Sequence, residues 1–279
     1  MQRSYATGGL GALGLAIGLG VSACGVSQQQ EVQIGQQESA QIQQQLPLVQ
    51  DAVINQYVTS LGNQIASHTS RADLQWQFYV VNTDVVNAFA LPGGIIYVNR
   101  GVLERADKMD ELAGVLGHEI EHVVRRHSVK QMEQMQGANV GVALACVLTN
   151  VCNNQAAAAA INVGGAAVFA RFSRADEVQA DEGGFHNLIV AGIDPSGMLT
   201  FFQKLLAEEQ QSGSNSNVSS WFSDHPGTQD RITDVQRMLA AVPASQLQSL
   251  TSDTEAFQAM KRRVMALPPA PRQTRSGDE

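Results

Sequence analysis

Positive charge is scarce in this 279-residue chain: 18 lysines and arginines stand against 26 acidic residues, a formal net charge of -8 at pH 7. Lys130, Lys261, Arg262 and Arg263, with scattered arginines, form no long stripe. A role built on nucleic acid or another polyanion is therefore excluded. Long apolar runs are also missing. The stretches 8–21 and 140–148 both fall short of the roughly 20 residues that cross a bilayer. No internal repeat is visible, so no helical-repeat array follows the central region. No Ser/His/Asp order, cysteine-nucleophile motif or phosphate-binding loop stands out either. Charged residues make up 16% and hydrophobic ones 44%, an ordinary soluble composition for one domain with tails.

Cysteine occurs three times, at Cys24, Cys146 and Cys152. Arg3 precedes the apolar run 8–21, which has the length of a signal-peptide core, and Val21-Ser22-Ala23 leads straight into Cys24. This resembles a bacterial lipobox, in which the signal is removed before the cysteine and the thiol is lipidated. Residues 1–23 are then a signal peptide and Cys24 a lipid anchor. Gly25 follows where an aspartate would mark inner-membrane retention, so the resemblance implies a periplasmic location at the outer membrane. Cys146 and Cys152 would meet an oxidising compartment. Six residues apart in one helix, their Cα atoms stand about 9 Å apart, beyond disulfide reach. A bridge needs a break near Thr149-Asn150, and the sequence leaves bridge and free thiols open.

Along the chain, the glutamine-rich stretch 24–45 reads as a tether or a helical arm. Asp51 is an N-cap, and Ile54, Val58, Leu61 and Ile65 form one apolar stripe. A strand is expected over 74–81, with Trp76, Phe78 and Val80 on one face. Extended runs at 87–91 and 95–98 flank the turn Pro92-Gly93-Gly94. A short helix follows at 102–105. Asp107 then reads as the cap of a helix continuing to about Met135. Further helices are expected at about 166–191, 196–210 and 229–241, with a loop at 211–220. The domain is expected to occupy 46–266, and the proline-bearing tail 267–279 to be disordered.

The chemistry lies in His118-Glu119-Ile120-Glu121-His122. One helical turn places both imidazoles on the same face, within reach of one ion about 2 Å from each nitrogen. Glu119 leans over that ion without binding it and serves as general base to an attacking water. A catalytic zinc takes a third protein ligand and keeps one open position. Downstream, Glu177 and Asp181 are again one turn apart: Glu177 supplies the ligand, and Asp181 accepts from a ligand histidine, His118. His127, nine residues past His118, falls on the opposite face of a continuous helix, as does His186 relative to Glu177; both read as packing or surface. His68 receives no role.

Together these motifs resemble the M48 family of gluzincin metallopeptidases, over roughly residues 31–240. The resemblance implies an α+β, mostly helical zincin-type domain with a small sheet and one bound Zn2+. It implies that the 87–101 hairpin is an edge strand on which Asn87, Ala88, Phe89 and Ala90 pair with extended substrate. It also brings in His225-Pro226 and Arg231 as oxyanion donors, or His225 as a fourth zinc ligand that keeps the enzyme latent. The function so implied is a zinc endopeptidase acting on unfolded or misfolded envelope proteins. An assembly factor with secondary peptidase activity is the alternative.

Overall fold

The computed structural model of the protein describes residues 25–134, 172–212 and 217–271. Cys24, Cys146, Cys152, the apolar run 140–148 and most of the expected tail lie outside the described residues. A three-stranded sheet, β1 (Gln77–Val81), β2 (Ala88–Leu91) and β3 (Ile95–Asn99), has the order β1-β3-β2. β1 runs parallel to β3, and β2 antiparallel to it. Gly93 and Gly94 make the β2–β3 turn with φ of 81° and 96°, a backbone region that side chains rarely adopt. Trp76, Phe78 and Val80 alternate into the main core, as period-two patterning requires. The opposite face presents Tyr79, Phe89 and Tyr97, whose rings stack at 5.0 Å.

That second face is covered by α1 (Gln28–Gln45). Ile42 joins its apolar cluster, and Ser39 Oγ lies 2.7 Å from Tyr97 Oη. A Ser27/Gln30 capping box begins the helix. Glu31 anchors it: fully buried, it accepts from Arg71 Nη1 at 2.7 Å, Arg126 Nε at 2.8 Å and Gly93 N at 3.2 Å. So the glutamine-rich stretch is a docked helix, clasped by one carboxylate. Beyond it, the Leu48–Val81 bridge and a Val49 N–H to Val80 O bond of 2.8 Å cover the outer side of β1. Among the described strands, β2 lies at the other side of the sheet, next to β3.

α2 (Ala52–Ala66), capped by Asp51, buries the expected stripe Ile54, Val58, Leu61 and Ile65. After α3 (Arg100–Arg105) comes α4 (Met109–Val124), buried along almost its whole length. Two expectations for α4 need correcting. Its cap is not Asp107: the N–H groups of Met109 and Asp110 donate to Asp253 Oδ1 and Ser252 O, so a distant segment satisfies the helix start. Nor does it reach Met135. Arg126 adopts φ 58° and ends the helix, and residues 127–134 form a new helical stretch with its own phase.

α5 (Arg174–Val190) starts at a Ser173/Asp176 capping box. It crosses α4 closely: a Cβ on Gly184 would stand 2.9 Å from Gly117 C and 3.1 Å from His118 N. α6 (Ser196–Ser212), α7 (Ser219–Asp224), α8 (Thr228–Ala241), α9 (Ala244–Leu247) and α10 (Glu255–Met265) complete the chain. α10 is not anticipated from the sequence, although Phe257, Met260 and Val264 give it a buried stripe. Part of the expected tail is held, since Arg100 donates to the carbonyls of Leu267 and Pro268.

Candidate metal centre and cleft

α4 presents His118 and His122 one turn apart, and the close α4–α5 crossing lets Glu177 reach between them. The two Nε2 atoms lie 3.0 Å apart. Glu177 Oε2 is 3.4 Å from His118 Nε2, and its Oε1 3.4 Å from His122 Nε2. From the end of α7, His225 turns Nδ1 into the same space, 3.3 Å from His118 Nε2 and 3.4 Å from Glu177 Oε2. Donors about 2.0 Å from a tetrahedral ion stand about 3.3 Å from one another, close to these separations. Glu177 Oε1 is buried without a hydrogen-bond partner, which is costly unless a cation satisfies it. Donor type, the grouping of all four donor atoms within 4.8 Å and the unpartnered Oε1 fit a divalent metal of the zinc class.

Glu119 sits beside this cluster, with both carboxylate oxygens buried and without hydrogen bonds, and Oε1 3.6 Å from His225 Nε2. Asp181, one turn along α5 from Glu177, accepts from His118 Nδ1 at 2.8 Å. Arg231 of α8 spreads over the acidic side: Nε and Nη2 donate to Asp181 at 2.6 and 2.7 Å, and Nη1 lies 2.8 Å from Glu177 Oε2. Its guanidinium carbon stands 4.6 Å above the Phe202 ring.

Burial shapes the charge states. It raises the Glu119 carboxyl, as a proton acceptor near neutral pH requires. It takes the His122 imidazole down to about 3. At His118, burial and Arg231 act downward, but the Glu177 and Asp181 carboxylates outweigh them and lift the imidazole to about 9. Burial also opposes ionisation of Glu177, yet His225, His118 and Arg231 hold it well below the carboxylate range.

A cleft of about 320 Å³ opens over Glu119 and His225, with β2 along one side. Its lining includes Asn87, Ala88, Phe89 and Ala90, the four residues expected from the sequence to meet substrate. Asn87 Nδ2 donates to Asp224 at 2.8 Å and joins the strand to α7. Ala88 O lies 3.4 Å from His225 Nε2.

Several contributors are not anticipated from the sequence. The Trp221 ring packs 4.5 Å from His225, Phe172 stacks on His122 at 4.0 Å, and Ile42 of α1 and Leu46 just after it line the cleft. The Trp221 signal was available: it lies four residues before His225, one turn of helix. His127, read as packing or surface, instead lies with Nδ1 2.9 Å from His122 Nδ1. The helix break at Arg126 resets the phase and turns it back towards the site. His68 and His186 are exposed and remote from it.

The fold and this site define a metalloendopeptidase of the gluzincin type. Comparison with known proteins narrows the class: residues 53–239 match Peptidase family M48, and the chain belongs to that family. It is 30% identical over 245 residues to the beta-barrel assembly-enhancing protease of Escherichia coli K12, covering 85% of this chain and 49% of that protein. It is 31% identical to the mitochondrial metalloendopeptidase OMA1 of Schizosaccharomyces pombe over 71% of this chain and 56% of that one. It is 28% identical to the metalloprotease LoiP of Escherichia coli K12 over 66% of this chain and 70% of that one. The chain spans about half the length of the assembly-enhancing proteases it matches.

Proposed function

We propose that this chain is a zinc-dependent endopeptidase of the bacterial cell envelope, acting on unfolded or misfolded proteins. The observation that carries the reading is the convergence of His118 Nε2, His122 Nε2 and Glu177 on one point beside an unpartnered Glu119. His118, His122 and Glu177 hold the metal. When bound, zinc supplies a Lewis-acidic centre that acidifies water and polarises the scissile carbonyl. Glu119 takes the proton of the attacking water and passes it to the leaving amine. Asp181 orients His118. The β2 edge aligns substrate by backbone pairing at Asn87 to Ala90, which suits extended segments without fixed structure.

Arg231 has its fork engaged with Asp181 and Glu177. Its role in this reading therefore moves from oxyanion donor to brace of the ligand set. His225 supports a second reading of the resting state. Its Nδ1 completes a four-donor set, so this arrangement is latent until His225 swings away, after which it is free to serve the oxyanion. Cys24 is the lipid anchor in this reading, residues 1–23 its signal peptide, and the outer membrane its site of attachment. Residues 46–266 are the peptidase domain.

The test is incubation of purified, unlipidated protein with casein, with and without chelator. Cleavage is expected that chelator stops and that Glu119→Gln abolishes. Full cellular function in Glu119→Gln would instead favour an assembly factor whose peptidase activity is secondary. Raised casein cleavage by His225→Ala supports the latch, and lowered cleavage the oxyanion role.

A further inference from the structure

We propose that His127 is a positioning residue for the metal centre, holding the His122 ring so that its Nε2 lone pair faces the ligand cluster. The inference rests on the metallopeptidase reading above. His127 is 2% exposed. Its Nδ1 lies 2.9 Å from His122 Nδ1, and its Nε2 3.5 Å from both Gln179 Oε1 and Asp176 Oδ1.

Two imidazole nitrogens at this separation form a hydrogen bond only when one carries the proton and the other offers its lone pair. The geometry decides which. His122 Nε2 faces His118 Nε2 at 3.0 Å and Glu177 Oε1 at 3.4 Å, so a metal there takes its lone pair. The His122 proton then sits on Nδ1 and donates to His127 Nδ1. His127 in turn must carry its own proton on Nε2, where an amide oxygen and a carboxylate are the acceptors present. Those outer contacts are long, and the inner bond does the orienting while they select the tautomer. Phe172, stacked on His122, closes the other side of that ring.

The two histidines on α4 are thus held by different means. His118 is braced by Asp181 and Arg231, His122 by His127. An imidazole acceptor makes His122 a weaker electron donor than a carboxylate would, and adds no negative charge to the pocket.

The test is zinc affinity, read by competition with a chromophoric chelator, in three variants. Asparagine carries an oxygen where histidine carries Nδ1, so His127→Asn should stay within about threefold of wild type. His127→Gln, with its amide one bond further out, and His127→Leu should weaken zinc by about 10- to 100-fold. The melting temperatures of the metal-free proteins show whether each variant folds; if His127→Leu does not, the Asn and Gln pair decides. Nitrogen chemical shifts of the zinc-loaded protein should place the His127 proton on Nε2. Equal affinity in Asn and Gln variants, or a proton on Nδ1, overturns the proposal while tight wild-type binding leaves the metallopeptidase reading intact. A wild-type protein that takes up no zinc overturns both.

Discussion

Arg231 carries a full positive charge at 2% exposure, a burial tolerated only because two carboxylates and an aromatic face surround it. Removing one partner of such a network leaves the others charged and unpaired. Arg231→Met should therefore destabilise the protein by about 3–5 kcal/mol in urea unfolding, and Arg231→Lys should not recover it, since an ammonium cannot replace the fork. Asp110 offers a pH test. Burial, with Asp194 nearby, lifts its carboxyl to about 7, and Oδ1 has no hydrogen-bond partner. An unfolded aspartate ionises near pH 4, so between about 4 and 7 the folded protein holds the extra proton. Stability then falls as pH rises through that window. From pH 5 to pH 8, the melting temperature should drop more in wild type than in Asp110→Asn. Residue placement was legible where spacing fixes geometry: His118, His122, Glu177 and Asp181 each sit one turn from a partner. The inward fork of Arg231 was not, because it depends on how α8 meets α5.

The α4–α5 crossing is the element on which the ligand set depends. Gly184 lies against the backbone of Gly117 and His118, so a side chain there must push the helices apart. Gly184→Val should cost about 1–3 kcal/mol and weaken zinc binding even though it touches no ligand atom. Unchanged zinc affinity in a folded Gly184→Val protein would contradict this. The strands and α2 were readable from period-two and period-3.6 patterns, and the hairpin from Pro92-Gly93-Gly94. The end of α4 was not. A positive φ at an arginine carries no local signal, and the resulting change of phase moved His127 from the far face into the site. Nor could the helix start be placed, since its donors are satisfied by Ser252 and Asp253, about 140 residues away in sequence. α10 was legible in principle from Phe257, Met260 and Val264, but a polar stretch before it obscured the stripe.

At the scale of the molecule, metal binding at the proposed site would be coupled to folding, because the four candidate donors come from α4, α5 and the end of α7. Free zinc at 100 times its Kd should stabilise the protein by about 2.7 kcal/mol. A chelator should lower the melting temperature of wild type but leave a His118→Ala, His122→Ala double variant unmoved, as differential scanning fluorimetry can check. The Glu31 clasp has a mechanical side as well. Three residues, 25–27, separate Cys24 from α1, a leash of no more than about 14 Å. Glu31 and the backbone of Val26 are both gripped by Arg126, the residue that ends α4. With Cys24 lipidated as proposed, any pull from the membrane enters the fold beside that helix end. The enzyme would ride close to the bilayer at a set height and orientation, and only substrates that pass at that level would reach the cleft.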